Sequence, residues 1–260
     1  QAKNIYNKIK NYVLSDDKGN WKSKMIFVAD DKDNSLHMNQ ANKLADKVRN
    51  KYKEYSVEKL FCDAYQRVVE SNQATYPEVH DRLLKTINDG VMMVNYTGHG
   101  GHSGLADEKI FLNSDALGLR NKHLPIFVTA ACGFSTYDNE TVSAGENLLL
   151  NPTGGAIALF STTRTVYSNE NFEMNSLFLD EAFNENYTIG DIIRYAKSKS
   201  SSSNQSKMSF GLLGDPAMKL HYPPKAISTE SLTENGVEVT TLSALAKITV
   251  NGYVEKSIGV

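Results

Sequence analysis

Cysteine is scarce in this chain, and its scarcity restricts how the fold is held together. The 260 residues contain two cysteines, Cys62 and Cys132. Two are too few for a disulfide framework in a domain of this size, although one bridge between them and a pair of free thiols are both compatible with the sequence. A disulfide-stapled scaffold is therefore excluded, and a hydrophobic core must stabilise the chain.

Long apolar runs, an excess of positive charge and a starting methionine are also missing. No stretch approaches the roughly 18 apolar residues of a membrane-spanning helix. The net charge of −2 and the pI near 6.3 give no reason to expect a nucleic acid partner. The chain opens with the polar run QAKNIYNKIK, which is unlike a secretory signal, and without a first methionine we expect a fragment or a processed product.

The residues that are present predict a large mixed domain. Hydrophobic residues make up 40% of the chain, enough for one α/β domain with a smaller appendage. Apolar runs predict buried strands at 22–30, 55–64, 91–96, 124–131 and 154–162. Apolar spacing and end signals predict helices near 38–53, 78–89, 113–121, 141–151, 171–184 and 188–200. Strands that are apolar throughout and alternate with helices indicate a mostly parallel sheet covered on both faces.

Three segments follow from these patterns. Residues 1–21 are a polar N-terminal segment, and residues 22–224 form the main domain, which ends at two consecutive prolines. Within that domain, the composition of residues 198–207 predicts a flexible surface loop. The pattern then changes to short β-like runs, so residues 225–260 are predicted to begin a separate, truncated β module.

Two of the predicted strands end in the same way, at a short turn of small residues. The run VMMVNYTGHG places His99 after one strand, and LPIFVTAACG places Cys132 after another. Loops at the carboxyl ends of parallel strands line the crevice of an open sheet, and neighbouring strands lie about 4.8 Å apart. If the two strands are neighbours, imidazole and thiol meet over one cleft, as Cys–His nucleophilic catalysis requires.

Glycines beside the histidine fit the same interpretation. Gly98, Gly100 and Gly101 permit a tight loop that a β-carbon would hinder. The Gly100 amide is then free to face the site and, with the Cys132 amide, to bind the oxyanion of a tetrahedral intermediate. Each such donor contributes roughly 3 kcal/mol to transition-state stabilisation.

Other interpretations of these residues compete with catalysis. A lone cysteine at a strand end is most often a small buried hydrophobe, as we expect for Cys62, and a lone loop histidine is most often structural. His99 and His102 have H-x-x-H spacing, but no third ligand is evident, so no metal is expected there. The run TGHGGHSG lacks the lysine of a phosphate-binding loop. The joint placement of His99 and Cys132 favours catalysis over these alternatives.

The two loops together resemble the gingipain family of caspase-like cysteine peptidases. The resemblance rests on NYTGHG, FVTAACG, PTGGAIALFSTTRT and FGLLGDPAMKL, and it covers roughly residues 22–222. It implies a caspase-like, open, mostly parallel sheet with helices on both faces. It also implies that the β module at 225–260 is the start of an immunoglobulin-like domain.

The resemblance assigns roles to individual residues. Cys132 is expected to be the nucleophile and His99 the general acid/base. Family members often add an acidic residue from an earlier strand end; Asp30 and Asp31 end the first strand here, and we favour Asp31. Both aspartates could instead be solvated or bind a structural calcium ion in DDKDN, residues 30–34. No other cofactor is expected.

Substrate specificity is implied less directly. Arginine- or lysine-specific relatives place a carboxylate in the S1 pocket, which binds the side chain before the cleaved bond. Glu173, Glu170 and Asp138 are the candidates, although Asp138 could equally be a turn residue. Glu146 is expected instead to satisfy backbone donors at a helix start. A preference for basic side chains is therefore a hypothesis.

One run, SAGENLLLNPTGGAIALFSTTRTVYS, is more similar to one branch of the family than to the secreted gingipains. That branch comprises the C-terminal signal peptidases, or sortases, of type IX secretion. It implies cleavage of a C-terminal signal from exported cargo and transfer of the new carboxyl end to anionic lipopolysaccharide. The implied location is the bacterial outer-membrane surface, within a larger exported protein and beside outer-membrane secretion partners. The alternatives are a broad secreted endopeptidase and a non-catalytic cargo-binding scaffold.

Overall fold

The computed structural model describes residues 1–31 and 33–256, and its centre is a six-stranded sheet. From one edge to the other, the strands span residues 210–213, 158–162, 126–130, 93–97, 24–29 and 56–61. The strand at 210–213 joins the edge antiparallel, and the other five strands are parallel to one another. The sequence-based prediction of a mostly parallel, caspase-like sheet is confirmed.

The bounds of the elements follow in chain order. The strands are β1 (Lys24–Ala29), β2 (Ser56–Phe61), β3 (Val68–Glu70), β4 (Gln73–Thr75), β5 (Met93–Thr97), β6 (Gly100–Gly101), β7 (Gly104–Leu105), β8 (Phe111–Leu112), β9 (Ile126–Ala130), β10 (Ala158–Thr162), β11 (Phe210–Leu213), β12 (Lys225–Glu234), β13 (Val237–Glu238) and β14 (Ile248–Lys256). The helices are α1 (Ala2–Val13), α2 (Leu36–Lys51), α3 (Pro77–Asp89), α4 (Asn113–Gly118), α5 (Ala144–Leu150), α6 (Ser168–Glu181), α7 (Ile189–Lys199) and α8 (Asn204–Ser209). Among the described residues, no helix has both the length and the apolar character that crossing a bilayer requires.

The sheet is apolar on both faces because helices cover both. Along β1, Met25 and Phe27 belong to one buried cluster, and Ile26 and Val28 belong to the other. The first cluster includes side chains of α2, α6 and α7, and the second includes side chains of α3, α4 and α5. Strands with a helix layer on each side need apolar residues at successive positions, which explains the continuous apolar runs in the sequence.

The register of the central strands places three loops at one edge of the sheet. Ala29 at the end of β1 pairs with Thr97 at the end of β5. Thr97 in turn pairs with Ala130 at the end of β9. These three strands therefore end level, and the loops that follow them begin side by side.

Several elements differ from the sequence-based prediction. The segment predicted as a loop at 198–207 is partly helical, because α8 begins at Asn204. The edge strand β11 was not predicted, since its four residues follow a serine-rich tract instead of a turn. The described part of the predicted β module, 225–256, forms a three-stranded antiparallel sheet. Residues 257–260 lie outside the described residues, and the immunoglobulin-like assignment stays a prediction.

A buried lysine fastens the N-terminal helix to the main domain. The Lys8 ammonium donates hydrogen bonds to the carbonyl oxygens of Leu149 (2.9 Å), Asn151 (3.1 Å) and Gly154 (2.9 Å). These carbonyls lie in and just after the last turn of α5, where helical partners run out and a cation is favourable. Burial lowers the pKa of Lys8 to about 8. Residues 1–21, predicted as a polar segment that is helical or irregular, thus include a helix with a specific anchor.

Replacing Lys8 with methionine should destabilise the fold, because methionine keeps the length of the side chain but cannot donate to the carbonyls it leaves buried. We expect the free energy of unfolding to fall by about 2–3 kcal/mol, measured by urea denaturation. Lys10→Met is the matched control, since Lys10 is exposed on the same helix. Equal stabilities for the two variants would contradict the anchoring role.

Candidate active site

The structure brings His99 and Cys132 to the same edge of the sheet. His99 lies two residues past Thr97, and Cys132 lies two residues past Ala130, its partner in the register. The Gly98 amide continues the pairing, since it donates to the Ala130 carbonyl oxygen at 3.2 Å. The two chemically active residues are thus carried by adjacent, level strand ends, as the sequence predicted.

The two loops lie against each other, and glycine makes this approach feasible. A β-carbon added at Gly100 would lie 2.9 Å from the Ala131 β-carbon, closer than side chains normally pack. At Gly98, an added β-carbon would lie 2.5 Å from the Asp30 carboxyl carbon. Glycine at these positions is therefore required by close packing, and the histidine loop touches the residue just before the nucleophile.

The Gly100 amide is not bonded to the neighbouring strand of the hairpin. The Ala106 amide donates to the His99 carbonyl oxygen at 2.9 Å, which makes these two residues a hydrogen-bonded pair. Gly100 pairs next with Leu105. Pairs alternate along an antiparallel ladder, so Gly100 occupies a non-hydrogen-bonded position and its amide points away from β7. Its role as an oxyanion donor stays a prediction.

Among the described residues, no hydrogen bond joins the thiol to the imidazole. The Cys132 sulfur lies 3.6 Å from the Val166 carbonyl oxygen. The imidazole Nε2 lies 2.7 Å from Asp33 Oδ2, and the His99 side chain is 47% exposed. Because Asp33 occupies Nε2, the Nδ1 atom is the ring nitrogen left to exchange protons with the reacting groups.

The carboxylate beside the ring belongs to Asp33 and not to the favoured Asp31. Asp31 Oδ2 instead accepts a hydrogen bond from the Tyr76 hydroxyl at 2.7 Å. Residues 33, 34 and 35 all have left-handed backbone angles, with φ of 50°, 52° and 61°. This turn bends the chain back after β1, so the third aspartate of DDKDN reaches the imidazole.

Asp30 and His37 complete the surroundings of the ring. Asp30 is 1% exposed, and its Oδ2 accepts a hydrogen bond from the His99 backbone amide at 2.5 Å. Its Oδ1 lies 2.7 Å from His37 Nδ1. The rings of His37 and His99 meet edge to face, with centroids 5.1 Å apart. Sequence reasoning missed His37, although its position four residues after Asp33 at a helix start was an available signal.

Charge interactions perturb His37. Burial lowers the pKa of this imidazole, but the hydrogen bond to Asp30 and the charges of Asp30 and Asp33 outweigh burial and raise the pKa above its ordinary value. The protonated pair therefore stabilises the folded state at pH values below the unfolded pKa. That stabilisation is lost as the pH rises through the folded-state pKa.

His102 anchors the loop that follows the cysteine. Its two ring nitrogens each lie 2.8 Å from a threonine hydroxyl, Nδ1 from Thr136 and Nε2 from Thr141. Its carbonyl oxygen accepts from the Ala144 amide at 2.9 Å, at the start of α5. The two histidines of the H-x-x-H pair thus have different partners, Asp33 for His99 and two threonines for His102.

The predicted S1 carboxylate Glu173 is fully engaged elsewhere. Its oxygens accept hydrogen bonds from Ser200, Ser201 and Ser202, at distances of 2.6–2.9 Å. Although burial opposes this, these hydrogen bonds lower the pKa of Glu173 to about 2. Glu170 binds Ser203 and Ser206 in the same way. Both carboxylates fasten the serine tract to α6, so neither has a free oxygen pair for a substrate.

Asp138 and Glu146 also have partners. Asp138 forms a two-pronged ion pair with Arg164, at 3.0 and 2.5 Å, which links the cysteine loop to the loop after β10. The Arg164 carbonyl oxygen accepts from the Gly133 amide, so this ion pair adjoins the nucleophile. Glu146 accepts from the Ser143 amide at 2.8 Å and caps α5, as predicted.

The two cysteines should differ sharply in their reaction with iodoacetamide. Both are free thiols; Cys132 is partly exposed, whereas Cys62 is 0% exposed and burial raises the pKa of its thiol. We expect peptide mapping by mass spectrometry to show alkylation of Cys132 long before Cys62 in the native protein. Unfolded protein is the control in which the two rates converge, and equal rates in the native state would contradict the site.

Several solved structures have similar folds. The Arg-specific cysteine proteinase gingipain R (RgpB) matches with a TM-score of 0.68 and 15% identity, over 99% of this chain and 66% of that one. The complex of Porphyromonas gingivalis RgpB pro- and mature domains matches with a TM-score of 0.69 and 13% identity, over 99% of this chain and 67% of that one. The Saccharomyces cerevisiae separase in its securin complex matches with a TM-score of 0.53 and 9% identity, over 81% of this chain and 13% of that one.

The chain thus spans 66% of the length of the first of these structures, and at these identities the likeness concerns the fold. No sequence among the curated proteins matches it. The family model of peptidase family C25, however, matches residues 1–221, which is most of the chain. On that match, and with the fold to support it, the chain belongs to peptidase family C25, the gingipain family of cysteine peptidases.

Proposed function

We propose that this protein is a cysteine endopeptidase in which Cys132 is the nucleophile and His99 the general acid/base. The observation that carries the proposal is the level ending of β5 and β9, which sets the two residues on touching loops. Asp33 acts as the orienting acid, because its carboxylate holds His99 Nε2 at 2.7 Å. Family membership supports the assignment.

The steps follow from the chemistry of these groups. His99 Nδ1 takes the proton of the Cys132 thiol, and the thiolate attacks the carbonyl carbon of the cleaved bond. The oxyanion that forms is bound by the Cys132 and Gly100 amides. His99 then donates a proton from Nδ1 to the leaving amine, and a thioester remains on the sulfur. Asp33 keeps the proton on Nε2 throughout, so that Nδ1 is the nitrogen that cycles.

The thioester allows two products, and a sequence similarity favours one of them. Water releases a free carboxylate, whereas an amine acceptor gives a new amide. The similarity of residues 143–168 to the type IX signal-peptidase branch supports transfer to anionic lipopolysaccharide. On this proposal the substrates are exported proteins with C-terminal secretion signals, and the site of action is the outer-membrane surface beside secretion partners. A broad secreted endopeptidase and a non-catalytic scaffold are the alternatives.

The S1 preference and the calcium ion are proposals with less support. A basic preference through Glu173 would require its serine hydrogen bonds to break, and through Asp138 would require release of Arg164. No cofactor is needed for the thioester chemistry. A calcium ion at residues 30–34 is supported by Asp31 Oδ1, a buried oxygen that has no hydrogen-bond partner among the described residues. Residue 32 of that cluster lies outside them.

Removing the nucleophile tests the proposed activity. We expect Cys132→Ala to abolish cleavage of denatured protein substrates, while Cys62→Ala retains it because Cys62 is a core residue. Mass spectrometry of cargo processed by the unmodified protein then separates the two enzyme alternatives. A linked adduct supports the transferase and a free carboxylate the endopeptidase, and full activity of Cys132→Ala would exclude both.

Two neighbouring aspartates provide a matched test of the orienting acid. Asp33→Asn should lower kcat by roughly 10²-fold, because the amide no longer holds the proton on Nε2. Asp31→Asn should change kcat little, since that carboxylate binds the Tyr76 hydroxyl. The measurement is steady-state hydrolysis of a peptide substrate. A larger loss in Asp31→Asn than in Asp33→Asn would restore Asp31 as the third residue.

A further inference from the structure

Polar side chains cluster around His99, and proton transfer alone does not account for all of them. One ligand atom each from Asp30, His37 and His99 lies within 4.8 Å of the others. Asp30 and His37 are 1% and 7% exposed, so two of the three are built into the interior. His99 is half exposed and leaves the cluster open to solvent on one side. The cluster therefore has a rigid base and an accessible mouth.

A fourth donor lies between the two imidazoles. Asp33 Oδ2 is 2.7 Å from His99 Nε2 and 3.3 Å from His37 Nδ1. Asp30 Oδ1 is a further 2.7 Å from His37 Nδ1. Four donors at about 2.0–2.1 Å from a tetrahedral zinc ion lie about 3.3 Å from one another. The contacts of 2.7 to 3.3 Å within this cluster are close to that spacing.

We propose that Asp30, Asp33, His37 and His99 form a zinc site that regulates the enzyme. Two imidazole nitrogens and two carboxylate oxygens are donors that Zn²⁺ accepts, whereas Ca²⁺ and Mg²⁺ prefer oxygen alone. The two carboxylates balance the charge of the ion. Zinc replaces the protons that the histidines share with the carboxylates, and those protons are released to solvent.

Occupancy of this site would switch off catalysis, which rests on the proposed function. When zinc is bound to His99 Nε2, that nitrogen no longer carries the proton that Asp33 holds. The zinc-bound ring therefore cannot act as the proton carrier of the reaction. Inhibition is reversible by a chelator because no covalent bond forms. It weakens at lower pH, since protons compete for the same donors. Zinc held between the thiolate and His99 is the competing mode of inhibition.

The test uses Cys132→Ala protein, in which that competing mode cannot occur. Competition with a chromophoric zinc indicator should show one Zn²⁺ bound per chain. Adding His37→Gln or His99→Gln should weaken binding by at least about tenfold, because losing a ligand costs no less than losing its hydrogen-bonding support. His80→Gln is the matched control, since His80 also contacts two carboxylates but belongs to no metal-binding group among the described residues.

The outcomes separate the zinc site from the proposed activity. Circular dichroism verifies the folding of each variant. If His37→Gln unfolds, His99→Gln still tests the site, because the His99 side chain is half exposed and its replacement should leave the fold intact. Zinc affinity that is unchanged by both histidine variants, or that vanishes with Cys132→Ala alone, overturns the site. If zinc binding depends on both histidines while the unmodified protein, free of zinc, cleaves no substrate, the site is upheld and the proposed function is refuted.

Discussion

The structure depends on one constraint, which is the close approach of two loops at the ends of β5 and β9. Thr97 and Ala130 pair in register, and Gly100 then packs against Ala131 with no room for a β-carbon. Parallel pairing fixes the direction of both chains, and the missing side chain allows the backbones to touch. Because these contacts involve backbone and small residues, they place the thiol and the imidazole without depending on flexible side chains.

A buried carboxylate supports this arrangement from below. Asp30 binds the His99 amide with one oxygen and His37 with the other, so it holds both the backbone of His99 and the ring beside it. A buried charge is costly unless it is hydrogen-bonded, and the histidine loop supplies that bond. The loop conformation and the burial of Asp30 therefore stabilise each other, and Gly98 is required because Asp30 occupies the space of its β-carbon.

Charged residues outside the centre serve mainly to hold segments in place. Lys8 fastens α1 to the end of α5, and Glu170 and Glu173 fasten the serine tract to α6. His102 pins the loop that carries on from Cys132. The carboxylates that a specificity argument would single out thus already have hydrogen-bond or ion-pair partners. A basic substrate side chain would have to displace those partners to bind them.

The sequence by itself determined the parallel sheet and the positions of His99 and Cys132. Continuous apolar runs reflect burial on two faces, and strand ends followed by glycine or other small residues are local features that can be read along the chain. Only the tertiary structure decided that Asp33 reaches His99, that His37 lies beside it and that Glu173 binds serines. Those choices depend on which atoms come within hydrogen-bonding distance across 27 to 66 positions in the chain. A left-handed turn at 33–35 reverses the direction of an aspartate, and residue spacing does not record such a reversal.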